Sequence, residues 1–308
     1  MNLEKCSNCN SKDIIKKGKR KNKNQTIQKY YCKNCKKFFA NSLLKNKTYP
    51  PLVILKAISF YNQGYSFEKS KDAINKAFKL NLKASTIHKW LNEFKELTAY
   101  RRIRDQNLKY YKPKEIIVKK TFRHNEQPYK YQYHKAKINF LKYFSALKQY
   151  LIEVKDNCPN NLFENPENKN RASRLKLNLK FQIQQKENYA VKLANLALKA
   201  SNINKQRHQI IQDFMLINDT ATIATEVPIY YVKTGLTGHI DILQLRFDKV
   251  HILDYKPEAD KIHPESQLYL YARALSLQTK IPLSSFRCAW FDDEDYFEFD
   301  PSLRIENS

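Results

Sequence analysis

Asp241, Asp254 and Lys256 are the residues whose types and spacing could do chemistry in this chain. Two short apolar runs carry them. Ile240, Ile242, Leu243 and Leu245 surround Asp241, and Val250, Ile252, Asp254 and Lys256 alternate, so in a strand those four share one face. Strand interiors rarely hold a carboxylate or an ammonium group unless it pairs or binds something. If the two strands pair, both carboxylates converge on one divalent cation with the lysine beside it. Mg²⁺ favours oxygen ligands and keeps water and phosphate in its other positions. It polarises a phosphoryl group and lowers the pKa of bound water, and a nearby lysine can orient that water or offset growing charge. These are the requirements for cutting a phosphodiester. The alternative is a buried structural ion pair between Asp254 and Lys256, because ion pairs perturb ionisation without catalysing anything.

The elements that must position these groups are readable around them. Residues 265–276 predict a helix on which Gln267 and Tyr271, at i and i+4, share a face, with Leu268, Leu270, Ala272 and Leu275 as its apolar flank. A buried hydrogen-bonded pair would explain Gln267 and Tyr271 equally well. Residues 187–200 predict a helix with Ala190, Leu193, Ala194 and Ala197 inward, and a second helix over 205–215 carries His208. Residues 222–230 predict the first strand of the sheet, with Glu226 in it and Pro228 marking an edge. Residues 286–299 predict a hairpin with a solvated acidic turn at Asp292–Asp295.

His208, Gly238-His239-Ile240-Asp241, Asp254-Tyr255-Lys256 and the Gln267/Tyr271 pair follow one another in that order. The set resembles the PD-(D/E)xK nucleases, most closely their RecB-like branch, and the resemblance covers residues 186–300. It implies an α/β domain over 186–308 with a restriction-endonuclease-like mixed sheet flanked by helices. It also implies a metal-dependent deoxyribonuclease leaving a 3′-hydroxyl and a 5′-phosphate. Mg²⁺ or Mn²⁺ would be held by His208, Asp241, Asp254 and the Tyr255 carbonyl, with Glu226 near the metal directly or through water. Lys256 would position the attacking water, and Gln267 and Tyr271 would support the site. Some RecB-like nucleases carry a four-cysteine iron–sulfur cluster; only Cys158 and Cys288 lie outside the N-terminal pairs here, so none is expected.

Those pairs, Cys6/Cys9 and Cys32/Cys35, have the spacing of two zinc knuckles and read as a structural Zn²⁺ site over residues 1–48. Chance or redox pairing is the other explanation. A basic turn, with Lys19, Arg20 and Lys21, would lie between its strands, and Asn10 and Lys36 stand where such knuckles often have glycine. Residues 49–100 predict three short helices. The first has Leu52, Leu55 and Ile58 buried; Ser66 caps the second; Ser85 caps the third, whose Ile87, Trp90, Leu91 and Phe94 form its apolar face. Ribbon and helices resemble those of insertion-element transposases. That resemblance implies a helix-turn-helix with Ser85, Thr86, His88 and Lys89 nearest the bases. A helical bundle with a solvated basic face is the alternative.

Composition agrees with a polyanionic partner. The chain of 308 residues is long enough for two domains, and its formal charge is +26. Residues 1–50 hold 14 Lys/Arg against 2 Asp/Glu, whereas residues 251–308 hold 6 against 11. An AT-rich genome explains the lysine count more easily than this asymmetry. The start lacks the apolar core of a signal peptide, and no run is long enough to span a bilayer, so a cytoplasmic chain without membrane contact is expected.

Residues 101–185 read as a basic linker followed by a helical region. The aromatic–basic interleaving at 122–135 fits either base stacking or one packed strand face, and residues 134–154 predict one long helix. No acid between 101 and 200 sits in a clean apolar strand except Glu115, so a DDE-type transposase core is not expected. The expected function is therefore a DNA nuclease linked to a mobile element, with DNA as partner and a homodimer left open. The rivals are a transposon-derived DNA-binding protein with an inactive nuclease-like domain, and a transposase performing strand transfer.

Overall fold

The computed structural model describes residues 5–6, 8–21, 26–40, 48–95, 110–164, 170–201 and 206–305. Along the chain, β1 (Ile14–Lys21), β2 (Thr26–Cys32) and β3 (Phe38–Ala40) form a small antiparallel sheet. The helices α1 (Pro51–Asn62), α2 (Phe67–Phe78) and α3 (Ala84–Glu93) follow. Next come β4 (Ile117–His124), β5 (Gln127–His134), α4 (Lys135–Ile138), α5 (Ser145–Asn157) and α6 (Asn160–Glu164). Then come the two-residue strands β6 (Lys180–Phe181) and β7 (Gln184–Gln185), followed by α7 (Tyr189–Ser201) and α8 (Arg207–Asn218). The last part holds β8 (Thr222–Tyr231), β9 (Leu236–Arg246), β10 (Lys249–Tyr255), α9 (Glu265–Thr279), β11 (Phe286–Phe291), β12 (Tyr296–Phe299) and β13 (Arg304–Ile305).

The result is a mixed α/β chain built on an eight-stranded sheet in the order β4-β5-β8-β9-β10-β11-β12-β7. Its one parallel pair is β10–β11, and α9 is the crossover that a parallel pair requires. One core joins α5 and α9 to the sheet through Leu147, Leu151, Ile240, Ile252, Leu268 and Leu275. The opposite core joins α7 and α8, through Leu193, Ile211 and Met215, to Ile242, Leu253 and Tyr255. That second core continues into α1–α3 through Ile54, Ile58, Ile74, Ile87 and Trp90. A buried polar seam crosses it: Asn62 donates to Asn218 at 2.8 Å, and Asn218 donates to Ser59 at 3.0 Å. No helix among the described residues is long and apolar enough to cross a membrane.

Local signals explain several boundaries. Pro51 opens α1, where its missing N–H costs nothing, and the Ser66 side chain caps α2 by accepting from the Lys69 amide at 3.2 Å. Ser85 does not cap α3: the cap position falls two residues earlier, at Lys83, and has no side-chain hydrogen bond. Lys19, Arg20 and Lys21 lie in strand β1 rather than in a turn. Gly18, at φ +72°, sits in a β-bulge between Lys16 and Lys19, and glycine alone takes that backbone without strain.

Four expectations about the middle and the sheet are corrected. Residues 117–134 are a β-hairpin within the main sheet, so strands on both sides of residue 186 belong to one sheet. Phe122, Tyr131 and Tyr133 are buried there, which makes the aromatic interleaving core packing. The expected helix over 134–154 is two helices, α4 and α5, because His134 ends a strand; Ile138 and Leu141 still reach the same core. Strand β8 is interior, not the first strand. Pro228 is tolerated because the pairing with β5 stops at Gln132↔Thr225. The turn at 292–295 is not simply solvated: Asp292 is buried and accepts from the Ala259, Glu294 and Asp295 amides.

Candidate functional site

Three acids stand in neighbouring positions on three adjacent strands. The β9–β10 register reaches Ile242↔Leu253, so the next step sets Asp241 across from Asp254. In β8–β9, the pairs Thr225↔Ile242 and Val227↔Ile240 bracket Glu226 and Asp241. Like charges directly across a sheet destabilise it unless something neutralises them. Burial pushes Asp254 well above the usual carboxylate range, and the Asp241 charge adds to the shift, although Lys256 opposes it. Burial acts on Asp241 too, but His208, Asp254 and Lys256 outweigh it and hold that group below its ordinary value. The two facing acids are thus pushed apart in acidity, as in a pair that resists carrying two charges.

Each acid has defined partners. His208 Nδ1, at the start of α8, lies 3.1 Å from Asp241 Oδ2, and the Tyr255 amide donates to the same oxygen at 3.3 Å. Lys256 Nζ is 2.7 Å from Asp254 Oδ2. Gln267 on α9 donates to that oxygen at 3.2 Å and to Tyr271 Oη at 2.9 Å. Among the described residues no donor reaches the buried Asp254 Oδ1, although the Asp241 and Asp254 carboxyls lie close enough for one shared proton to link them. The cluster is partly open to solvent: the His208 side chain is 45 % exposed and that of Lys256 24 %, against 3 % for Asp254. Burial pulls the Lys256 ammonium down, but Asp254 and Asp241 more than offset it, so its pKa is raised and the lysine stays charged.

Gly238 has a steric reason. A Cβ there would fall into the edge of the Tyr271 ring. Gly238→Ala is therefore expected to cost about 2 kcal/mol in urea unfolding, as overpacked cores do. In a Tyr271→Ala background the same change should cost far less. Equal costs in both backgrounds would remove this account.

Glu226 adopts φ +49°, an uncommon backbone for a non-glycine residue, in a central strand. It accepts from Gln212 Nε2 at 2.6 Å. Burial and then the Asp241 charge push its carboxyl up to about 8. The folded protein therefore binds this proton more tightly than the unfolded chain, and the group's contribution to stability falls as pH rises from the ordinary 4.5 toward about 8. Metal-free Glu226→Gln should be more stable than the parent at about pH 9, by roughly 2 kcal/mol, with the gap closing toward about pH 5. A gap independent of pH in urea titrations would contradict the assignment.

A second site lies in the small sheet. Ligand atoms of Cys6, Cys9, Cys32 and Cys35 all lie within 4.8 Å of one another, and this is the one set of at least three such ligands packed that tightly among the described residues. The Sγ separations of 3.7 Å for Cys6–Cys35 and 3.5 Å for Cys9–Cys32 approach the roughly 3.8 Å edge of a Zn–thiolate tetrahedron. Asn10 and Lys36 both take positive φ, 56° and 55°, so each Cys-x-x-Cys turn closes without a glycine. These four residues can hold one zinc ion.

The remaining sequence-predicted residues are spread over other surfaces. On α3, Ser85, His88 and Lys89 are exposed and Thr86 is half-buried, while Lys19 and Arg20 are exposed on β1. The Lys21 side chain lies outside the described residues. Sequence reasoning missed Gln212, which holds Glu226; its signal was a polar residue four after His208 on an otherwise apolar helix face. It also missed Asp292 as a loop organiser, whose local signal was an aspartate placed to accept from the amides two and three residues on. Comparison with protein-family models, with curated proteins and with solved structures found no match.

Proposed function

We propose that this chain is a metal-dependent deoxyribonuclease of the PD-(D/E)xK type, RecB-like branch, with a zinc ribbon and a helix-turn-helix that hold DNA. The observation that carries the reading is the row Glu226–Asp241–Asp254 with Lys256 beside it and one buried Asp254 oxygen left without a donor. An orphaned carboxylate oxygen among facing acids fits a divalent cation better than it fits a finished structural ion pair. Asp241, Asp254, His208 and the Tyr255 carbonyl would hold Mg²⁺ or Mn²⁺, with Glu226 directly or through water. When bound, the ion supplies Lewis-acid activation of the phosphoryl group and of water.

The protein's own side chains do the rest. Lys256, kept charged by two carboxylates, orients the attacking water and offsets charge developing on the phosphoryl oxygens. Gln267 fixes the Asp254 carboxylate, and Tyr271 fixes Gln267. His208, at the exposed rim, orients Asp241. A helix α3 that exposes Ser85, His88 and Lys89 suits entry into a major groove, and exposed Lys19 and Arg20 suit phosphate contact. The formal charge of +26 supports DNA as partner. A mobile-element origin rests on the N-terminal modules alone.

The test is incubation of purified protein with linear and with circular DNA, in Mg²⁺, in Mn²⁺ and in EDTA. Metal-dependent cleavage leaving 5′-phosphate ends is expected. DNA retention without cutting in any metal would instead favour the reading of the 2.7 Å Asp254–Lys256 contact as a structural ion pair.

A further inference from the structure

Residues 171–180 form a strap over the amino-terminal end of α9. Leu175, Leu177 and Leu179 pack half-buried against the core, while Arg174, Lys176 and Lys180 are exposed between and beyond them. The strap is pinned at both ends. Arg171 bridges Thr237, next to Gly238, and Lys180 pairs with Ile305. Midway, the Leu177 amide donates to Ser266 Oγ at 3.0 Å, and Ser266 directly precedes Gln267. The sequence holds no Asp or Glu from residue 168 to 186.

Arg171 stands where the strap meets the acids. Its guanidinium donates to Tyr129 Oη at 2.6 Å, and the Tyr129 ring stacks on His239, centroids 3.7 Å apart, two residues before Asp241. Other half-buried arginines have a carboxylate: Arg207 pairs with Asp293, Arg246 with Asp219 and Arg287 with Asp300. Among the described residues Arg171 has no ion pair, and neither have Arg174, Lys176 and Lys180. Its nearness to Glu226 is felt there, since the Arg171 charge opposes the burial that raises that carboxyl. A cation held over an aromatic ring beside the site, with no ion pair among the described residues, is placed to meet an anion from outside.

We propose that the strap is a track for the phosphate backbone of the DNA strand that enters the acid site, with Arg171 as its inner end. The idea rests on the nuclease reading for its direction, but its test does not depend on cutting. Duplex DNA binding is measured in EDTA over a series of salt concentrations. The triple variant Arg174→Ala/Lys176→Ala/Lys180→Ala should weaken binding roughly 10- to 100-fold at low salt and flatten the log K against log [salt] slope by about 2 to 3. Arg171→Ala should take off about one more. A control triple of equal charge loss, Lys112→Ala/Lys114→Ala/Lys142→Ala, also at exposed positions, should change the slope much less. Equal effects of the two triples, or a parental slope in the strap variant, would overturn the track. A protein that never cuts but loses salt dependence through the strap would keep the track and lose the nuclease reading.

Discussion

Lys256→Ala and Asp254→Ala should each reduce metal-dependent DNA cutting by roughly 10³-fold while DNA retention survives. The two losses have different physical routes. Asp254→Ala removes the carboxylate whose second oxygen is buried and unpaired among the described residues, which under the proposed function removes a metal ligand. Lys256→Ala leaves the carboxylate but withdraws the cation that opposes its protonation. Buried beside Asp241, Asp254 would then hold its proton more tightly and take up a cation less readily at neutral pH. The lysine variant should therefore need more Mg²⁺ for half-maximal residual activity, and a higher pH should lower that requirement. Because retention is attributed to the N-terminal modules, filter binding should report near-parental affinity for both. Undiminished cutting by both variants would remove the site assignment outright.

The second large effect is expected at the cysteines. Among the described side chains of residues 5–40 the buried ones are Cys6, Tyr30 and Cys32, with the aromatic contacts Tyr30–Phe39 and Tyr31–Phe38 beside them. A sheet that small cannot hold itself together on such a core. Structural zinc sites supply an apparent 10–16 kcal/mol, roughly, which is folding free energy in domains of this kind. One zinc per chain is expected, and strong chelation or Cys9→Ser/Cys32→Ser should abolish amide protection in β1–β3. The eight-stranded sheet has its own two cores and should keep its thermal transition. Unchanged exchange in β1–β3 after complete zinc removal would refute this dependence.

Much of the site was legible because its parts are local. The alternation at 250–256 put Asp254 in a strand with Lys256 close behind it, although the strand ends at Tyr255 and Lys256 is the first residue past it, and the i, i+4 spacing put Gln267 and Tyr271 on one helix face. Ser66 was readable as a cap for the same reason. What escaped was set by distant partners. The hairpin β4–β5 is aromatic and basic in alternation, and only its pairing with β8, some 90 residues later, makes it part of the sheet. Ser85 failed as a cap because the cap fell two residues earlier, at Lys83, a shift too small for residue preference to resolve. The left-handed backbone of Glu226 and the burial of Asp292 depend on contacts that no short window contains.

Helix α8 has His208 in its first turn, against Asp241, and Asn218 at its last residue, bonded to Asn62 and Ser59 of α1. A rod of 12 residues is about 18 Å long. Since α1 also packs on α2 and α3, α8 sets the separation between α3 and the acids; under the proposed function it would serve as a ruler, and breaks would fall at a constant offset from the sequence gripped by α3.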